Sequence, residues 1–268
     1  MEKFVVIKRY LKHAGKNDII SMQNMLGEKD VSDLVCIQGL QKVTLLDVPG
    51  KVACTVFTGG CNFRCPFCQN SDLLACAATC QYSEDELLTF LEGRKKLLDA
   101  VCVSGGEPLL QADLPALLRK IKAMGYYIKL DTNGSFPDRL KTVVEEGLVD
   151  YVAMDLKNST QRYSETIGMP PLYQDKIEES IDYLLSGVIP YEFRTTVVRE
   201  LHDQDSLLKA AQRIKGAEHY YLQQFVDSDH VLKQGLSSYS PSEMEALRKE
   251  IAHLVPNVQL RGCIAEEA

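Results

Sequence analysis

The sequence predicts an α/β fold built on a largely parallel sheet. Short apolar segments alternate with amphipathic segments along most of the 268 residues, and this alternation is typical of parallel strands joined by right-handed helical crossovers. Most of the predicted strands also end at a polar or glycine-rich motif. About six strand–helix units in about 200 residues fit either a partial barrel or a doubly wound sheet.

The elements follow from hydrophobic period, turn residues and helix caps. A strand beginning at residue 41 runs into a Pro-Gly turn, and further strands are predicted at 51–58, 100–104, 126–130, 151–154, 191–198, 219–225 and 258–260. Helices are predicted at 83–98, 111–124, 137–146, 174–185, 205–214 and 241–253. Ser83-Glu84-Asp85-Glu86 has the pattern of a capping box at the start of the first of these helices.

Composition narrows the class of protein. The chain is 45% hydrophobic and 25% charged with a net charge of -7, so we expect no general affinity for nucleic acid or anionic membranes. No apolar run approaches the ~20 residues of a membrane span, and the N-terminus lacks the pattern of a secretory signal. We therefore expect a cytoplasmic protein. Residues 1–35 carry no motif and are predicted to be an N-terminal extension of unknown role, with residues 36–268 forming the main domain.

A compact group of cysteines dominates the sequence. Cys61, Cys65 and Cys68 stand as C-x3-C-x2-C directly after a predicted buried strand. Three thiolates this close can reach one soft metal centre, yet a closed zinc site or a fully protein-ligated four-iron cluster would need a fourth ligand. Cys76 or Cys80 could complete a zinc site. Without them, one coordination position is left for a small molecule.

Three more motifs follow predicted strands in the same way. They are Gly105-Gly106-Glu107-Pro108, Asp131-Thr132-Asn133-Gly134 and Asp155-Leu156-Lys157. Because the carboxyl ends of parallel strands lie on one face, where α/β active sites are built, we expect these motifs and the cysteines to form one site.

The cysteine spacing, the aromatic residue before Cys68 and the following Gly-Gly-Glu-Pro turn resemble the radical S-adenosylmethionine (SAM) enzymes. The resemblance implies a partial (β/α)6 TIM-like barrel of the radical SAM type over residues 36–268. It also implies that Cys61, Cys65 and Cys68 hold one [4Fe-4S] cluster whose fourth iron is chelated by SAM. A soft-ligated cluster can deliver one low-potential electron to the molecule that it holds.

The same resemblance assigns residues to SAM. Phe67 would lie against the adenine, with Gln69 nearby. Gly105 and Gly106 would let backbone carbonyls reach the SAM amino group, since they carry no side chains. Glu107 would hold that turn.

The later motifs resemble those of glycyl-radical-enzyme activating enzymes. By this resemblance Asp131 and Asp155 help to bind a monovalent cation beside SAM, with Asn133 in the same strand-end motif, and Lys157 approaches the SAM carboxylate. Arg194 lies in a β-rich segment, where a buried arginine needs an acceptor. We expect it to face the barrel lumen, and there either SAM or the incoming glycine loop of the partner.

Residues 40–50 and 57–61 resemble most closely the anaerobic ribonucleoside-triphosphate reductase activating proteins. This implies a glycyl radical enzyme as protein substrate and a flavodoxin- or ferredoxin-like electron donor. A histidine that pyruvate formate-lyase activating enzymes use for the SAM ribose is absent near Phe225 and Val226, which leaves that contact unassigned. The alternatives are activation of another glycyl radical enzyme, a small-molecule substrate, or a zinc-binding interaction module.

Overall fold

A computed structural model describes residues 35–75 and 80–263 of the chain. Its sheet has eight strands, and their number follows chain order. They are β1 (Ile37–Thr44), β2 (Ala53–Thr58), β3 (Ala100–Gly105), β4 (Tyr127–Thr132), β5 (Tyr151–Asp155), β6 (Tyr191–Val197), β7 (Tyr220–Gln224) and β8 (Val258–Arg261).

The strands are hydrogen-bonded in the order β1-β2-β3-β4-β5-β6-β7-β8. β1 runs antiparallel to β2, and every later pair is parallel. Across the described residues β8 does not pair with β1, so the sheet is open. The predicted α/β fold with a partial, TIM-like barrel is confirmed.

Seven α-helices occur in the described part of the chain, mostly in the connections between parallel strands. They are α1 (Glu84–Glu92), α2 (Leu114–Ala123), α3 (Pro137–Glu145), α4 (Tyr163–Ile167), α5 (Gln174–Leu185), α6 (Gln204–Arg213) and α7 (Pro241–Ile251). The short helix α4 has no counterpart among the predicted helices, because five residues are too few to show a helical period.

Local signals explain where several helices begin. At α1 the Ser83 hydroxyl accepts from the Glu86 amide at 3.2 Å, and the Glu86 carboxylate accepts from the Ser83 amide at 2.8 Å, which confirms the predicted capping box. Asp203 and Ser240 begin α6 and α7 with the same arrangement.

Two predicted helix ends are wrong. The helix predicted to reach residue 98 ends at Glu92, where Gly93 is the C-cap residue. The helix predicted from residue 111 begins at Leu114, with Pro115 in its first turn and a separate 3-10 turn at Pro108–Leu110 before it. Pro115 in the first turn marks the start of α2, whereas Gly93 keeps a right-handed φ of -70°, so the end of α1 does not depend on a left-handed glycine.

The core lies between the sheet and its helices. Ile128 and Leu130 of β4, for example, are fully buried in it, whereas the alternate residues Lys129 and Asp131 project to the other face of the strand. That other face is the barrel interior. It has polar side chains nearer the carboxyl ends of the strands and a small apolar cluster of Val48, Ala53, Ala100 and Cys102. Val35, which was assigned to the N-terminal extension, is buried in the core, so the main domain includes residue 35. The rest of the predicted extension lies outside the described residues.

No helix within the described ranges is both long and apolar enough to cross a lipid bilayer.

Candidate active site

Residues 59–70, which carry the three cysteines and are called the cysteine loop below, are held by backbone hydrogen bonds on both sides. The Gly60 amide donates to the Leu73 carbonyl at 2.7 Å, and the Arg64 amide donates to the Ile167 carbonyl of α4 at 2.8 Å. The Arg64 guanidinium donates to the Cys61 carbonyl at 2.6 Å. These contacts fix the path of a loop that forms no helix or strand of its own.

The three cysteines of this loop line one cavity. Cys65 is 7% exposed, and Cys61 and Cys68 are half-buried. Burial raises the pKa of Cys61 to about 11 and that of Cys65 to about 12. Both groups are therefore thiols at neutral pH in the metal-free chain, and metal ligation has to displace their protons.

The Gly105-Gly106 turn at the end of β3 packs directly against the entrance to the cysteine loop. A Cβ on Gly106 would come within 2.0 Å of the Gly60 carbonyl oxygen, and one on Gly105 within 2.3 Å of the Thr58 nitrogen. The Gly106 amide donates to the Thr58 carbonyl and the Glu107 amide to the Gly60 carbonyl, each at 2.9 Å. Glycine is required here by this backbone contact, whatever the turn also does for a ligand.

Glu107 lies behind the cavity wall. It is fully buried, and its carboxylate accepts from the Leu109 amide at 3.0 Å, the Thr132 hydroxyl at 2.8 Å and the Asn133 amide at 2.7 Å. Burial raises the pKa of Glu107 to about 7, although the three donors oppose this shift. Glu107 thus joins the turn after β3 to the end of β4, as expected for a residue that holds the turn.

Five charged side chains converge at the ends of β4, β5 and β6. The Asp131 carboxylate accepts from Lys129 Nζ at 2.6 Å and from Arg194 at 3.1 Å. The Asp155 carboxylate accepts from Arg194 Nε at 3.0 Å and from Lys157 Nζ at 2.9 Å. Arg194 therefore lines the cavity and bridges the two aspartates.

Lys157 connects this network to the cysteine loop, since its Nζ lies 5.8 Å from the centroid of the Phe67 ring. The Phe67 ring in turn packs edge-on against the ring of His202, with 6.4 Å between centroids. His202 is fully buried; its Nε2 lies 2.7 Å from the Lys157 carbonyl oxygen, and its Nδ1 accepts from the Val198 amide at 3.1 Å. These two contacts assign the neutral tautomer with the proton on Nε2.

Asn133 and Gln69 each tie the site to another segment. The Asn133 side-chain amide donates to the Asn62 side-chain oxygen at 2.9 Å, which links the end of β4 to the cysteine loop. The Gln69 side-chain amide donates to the Val226 carbonyl at 2.8 Å. The segment after β7 also contacts the cysteine loop directly, because the Leu232 amide donates to the Cys68 carbonyl at 3.2 Å.

All of these groups surround a cavity of about 360 Å³. Every predicted site residue except Glu107 lines it; they are Cys61, Cys65, Phe67, Cys68, Gln69, Gly105, Gly106, Asp131, Asn133, Asp155, Lys157 and Arg194. Their contacts to SAM remain predictions.

Several lining residues were missed by sequence reasoning. Asp47, Ser104, Thr196 and Gln223 also face the cavity. Ser104 donates to Asp131 at 3.0 Å. Thr196 and Gln223 are paired on β6 and β7, and their position at the carboxyl ends of these two strands was the available signal. At the position of the missing histidine, Phe225 is buried and apolar and Val226 is 57% exposed, and the nearest polar side chain in sequence that lines the cavity is that of Gln223.

Across residues 35–75 and 80–263, no three histidine, cysteine, aspartate or glutamate side chains converge closely enough to hold a single metal ion. A [4Fe-4S] cluster is a different case, because each thiolate binds a separate iron.

Comparison with known protein families gives one match that covers both the cysteine motif and most of the strands of the sheet. The sequence profile of the Radical SAM superfamily matches residues 55–210, which include the cysteine loop and all five residues of the charged network. The chain belongs to the radical SAM superfamily. It is accordingly an oxidoreductase of the radical SAM type, and the predicted membership is confirmed.

Similar proteins of this superfamily include two from Methanocaldococcus jannaschii, each named provisionally as a glycyl-radical enzyme activating enzyme. One is 29% identical over 84% of this chain and 95% of its own length, and the other is 30% identical over 74% and 76%. The pyruvate formate-lyase-activating enzyme of Listeria monocytogenes is 30% identical over 45% of this chain and 52% of its own.

Among solved structures, Streptococcus suis SuiB bound to S-adenosylmethionine superposes with a TM-score of 0.61 over 76% of the chain, at 14% identity. The matched part is about half of SuiB, at 48% of its length. This likeness shows the fold of the radical SAM domain.

Proposed function

We propose that this radical SAM enzyme activates a partner enzyme by generating a glycyl radical on it. The observation that carries the proposal is the shared cavity, which the cysteine loop, the Gly-Gly turn and the charged strand ends all line. The names of its relatives, two glycyl-radical enzyme activating enzymes and a pyruvate formate-lyase-activating enzyme, support the same activity.

The residues present fit the family's cluster. Cys61, Cys65 and Cys68 face one cavity and leave a three-thiolate donor set, to which SAM would add the remaining ligands. A reduced [4Fe-4S] cluster held by these cysteines would supply one electron for reductive cleavage of SAM to methionine and a 5'-deoxyadenosyl radical, the species that would take a hydrogen atom from a glycine of the partner. Everything else that the chain contributes is binding, orientation and exclusion of water.

Phe67 and Lys157 are the residues that we assign to orienting SAM. Phe67 lines the cavity and is only 5% exposed, so an adenine would meet the small part of this apolar side chain that faces the cavity. Burial would lower the pKa of Lys157, but Asp155 raises it well above its usual range, and the side chain stays charged. A charged amine at the cavity wall can bind the SAM carboxylate.

Anaerobic ribonucleoside-triphosphate reductase is the partner that we favour, because residues 40–50 and 57–61 resemble the activating proteins of that enzyme. The side chain of Asp47, within the first of these segments, lines the cavity. Activation of pyruvate formate-lyase is the second candidate, supported by the Listeria relative and weakened by the apolar Phe225 and Val226. We further propose a flavodoxin- or ferredoxin-like electron donor and a cytoplasmic location.

The test begins with the protein purified without oxygen. We expect iron and sulfide near four each per chain, as for one cluster, and cleavage of SAM on reduction. Mixing with the reductase should give the electron paramagnetic resonance doublet of a glycyl radical on the reductase. Changing the radical-loop glycine of the reductase to alanine should remove the doublet.

Each part of the proposal has its own contrary result. Stoichiometric zinc without sulfide would indicate the interaction module. Reductive SAM cleavage by Cys65→Ala would contradict the cluster assignment. SAM cleavage that transfers no radical to the reductase, but does so to pyruvate formate-lyase, would favour the second partner. Turnover of a small molecule in the absence of either protein would replace activation as the function.

A further inference from the structure

The network of Asp131, Asp155, Lys129, Lys157 and Arg194 bears on the monovalent cation that the resemblance implies. An alkali cation binds through oxygen atoms that face it, as hard cations do. A cation site here therefore requires carboxylate oxygens of Asp131 and Asp155 that are not already occupied by protein donors.

Every carboxylate oxygen of the pair already accepts from a protein donor. Asp131 Oδ1 accepts from Lys129, and Oδ2 accepts from Arg194 and from the Ser104 hydroxyl. Asp155 Oδ1 accepts from Arg194, and Oδ2 accepts from Lys157. Arg194 supplies a separate nitrogen to each aspartate, which is the use to which the guanidinium fork is suited.

The charges of the network also oppose a further cation. Before SAM adds its own carboxylate at Lys157, two carboxylates face three protein cations, so these five side chains carry one excess positive charge. The side chains of Lys129, Asp131 and Arg194 are 2%, 14% and 13% exposed, whereas those of Lys157 and Asp155 are 16% and 29% exposed, so the part of the network around Asp131 is the more buried. Screening by water is weak there, and an additional cation would be repelled.

The directions of the pKa shifts agree with the geometry. Burial alone would raise the pKa of Asp131, but Arg194 and Lys129 hold it well below its usual range. Burial would lower the pKa of Lys129, and Asp131 keeps it raised. The pair is therefore ionised on both sides at neutral pH.

We propose that protein cations replace the monovalent cation in this chain, with Lys129 taking its place on Asp131 and Arg194 joining the two aspartates. Lys129 is then a positioning residue that acts through Asp131. The inference rests on the charges of this chain and holds whichever partner the enzyme activates.

The test measures ion binding directly on the full-length chain, before and after cluster loading. Sodium-23 line broadening and calorimetric titration would be run in NaCl, KCl and choline chloride at one ionic strength. For the wild type we expect no saturable Na⁺ or K⁺ binding and the same unfolding midpoint in all three salts. Reductive SAM cleavage should be equally fast in them.

Lys129→Met should create the missing site, because it frees one oxygen of Asp131 and removes one positive charge. We expect saturable Na⁺ or K⁺ binding and an unfolding midpoint about 2–4 °C higher in NaCl than in choline chloride. Lys122→Met is the matched control, since it removes a lysine–aspartate pair, with Asp150, outside the cavity. It should stay indifferent to the ion.

Two results would overturn the proposal. One is saturable Na⁺ or K⁺ binding by the wild type that Asp131→Asn abolishes. The other is a folded Lys129→Met that binds no ion. If Lys129→Met did not fold, the ion titrations of the wild type and of Asp131→Asn would still test the proposal, because it predicts no saturable Na⁺ or K⁺ binding by either protein.

Discussion

His202 does not line the cavity, but it supports two residues that do. It lies behind the cavity wall, yet it contacts both residues that we assign to SAM. Its ring packs against Phe67, and its Nε2–H donates to the backbone of Lys157. A change at His202 should therefore be felt in how SAM is held.

His202→Ala should raise the KM for SAM about tenfold, equivalent to ~1.4 kcal/mol, with a smaller effect on kcat. His202→Gln keeps an amide donor and should recover part of the loss. Steady-state SAM cleavage by the loaded enzyme measures both. An Ala variant whose kcat falls while its KM is unchanged would contradict a positioning role.

The same residue makes a prediction about pH. Burial lowers the pKa of His202 from 6.5 to about 4. In the unfolded chain the His202 imidazole binds a proton below about pH 6.5, whereas in the folded chain it binds one only below about pH 4. The free energy of unfolding therefore falls as the pH drops through this window. The loss approaches about 3 kcal/mol at the acid end.

Urea unfolding of the cluster-free chain at pH 7 and pH 5 would measure this slope. His202→Gln should show a smaller loss of stability between the two values than the wild type does. Equal losses in the two proteins would mean that other groups account for the acid sensitivity.

At the scale of elements, residue types at the strand ends predicted the location of the site, whereas contacts between distant segments could not be predicted. The strand-end motifs were recognisable because cysteines, paired glycines and acidic residues after apolar strands point to chemistry. Lys129 was not singled out, since one lysine inside a β-rich segment has no local signal for the aspartate that it meets. His202 was missed for the same reason, because its contacts with Phe67 and Lys157 join segments distant in sequence.

The contact between the turn after β3 and the cysteine loop can be tested by one methyl group. Gly106→Ala places a Cβ about where the Gly60 carbonyl lies, so the two segments must move apart. We expect a loss of about 1–3 kcal/mol in the free energy of unfolding and incomplete iron loading.

Gly93→Ala is the matched control. Gly93 has a φ of -70°, and a Cβ there would meet nothing closer than 3.6 Å. It should unfold and load iron like the wild type. Full iron occupancy and unchanged stability in Gly106→Ala would show that the contact is not needed.

For the whole molecule, the sequence predicts a parallel sheet but not whether that sheet closes into a full barrel. Alternating strands and helices imply a parallel sheet, whereas closure depends on how the first and last strands pair. β1 illustrates the limit: it begins at Ile37, ahead of the strand predicted from residue 41, and it runs antiparallel to β2. Its Gln41, Lys42 and Val43 are exposed, so little apolar alternation marks it.

The main domain should be self-sufficient from residue 35. Val35 and Cys36 are buried in it, and its core is continuous to Val258. A chain lacking residues 1–34 should keep its far-ultraviolet circular dichroism, its iron content and its unfolding midpoint. A lower midpoint, or loss of the cluster, would show that the N-terminal residues contribute to the fold.

The backbone contact between Gly106 and Gly60 also limits what protein engineers can transplant. The cysteine motif is short enough to copy into another α/β scaffold, but its shape depends on a neighbouring strand's turn with no side chains. A graft of residues 59–70 alone would meet a Cβ at that point in most hosts. The smallest portable unit is therefore two adjacent strands with both of their loops.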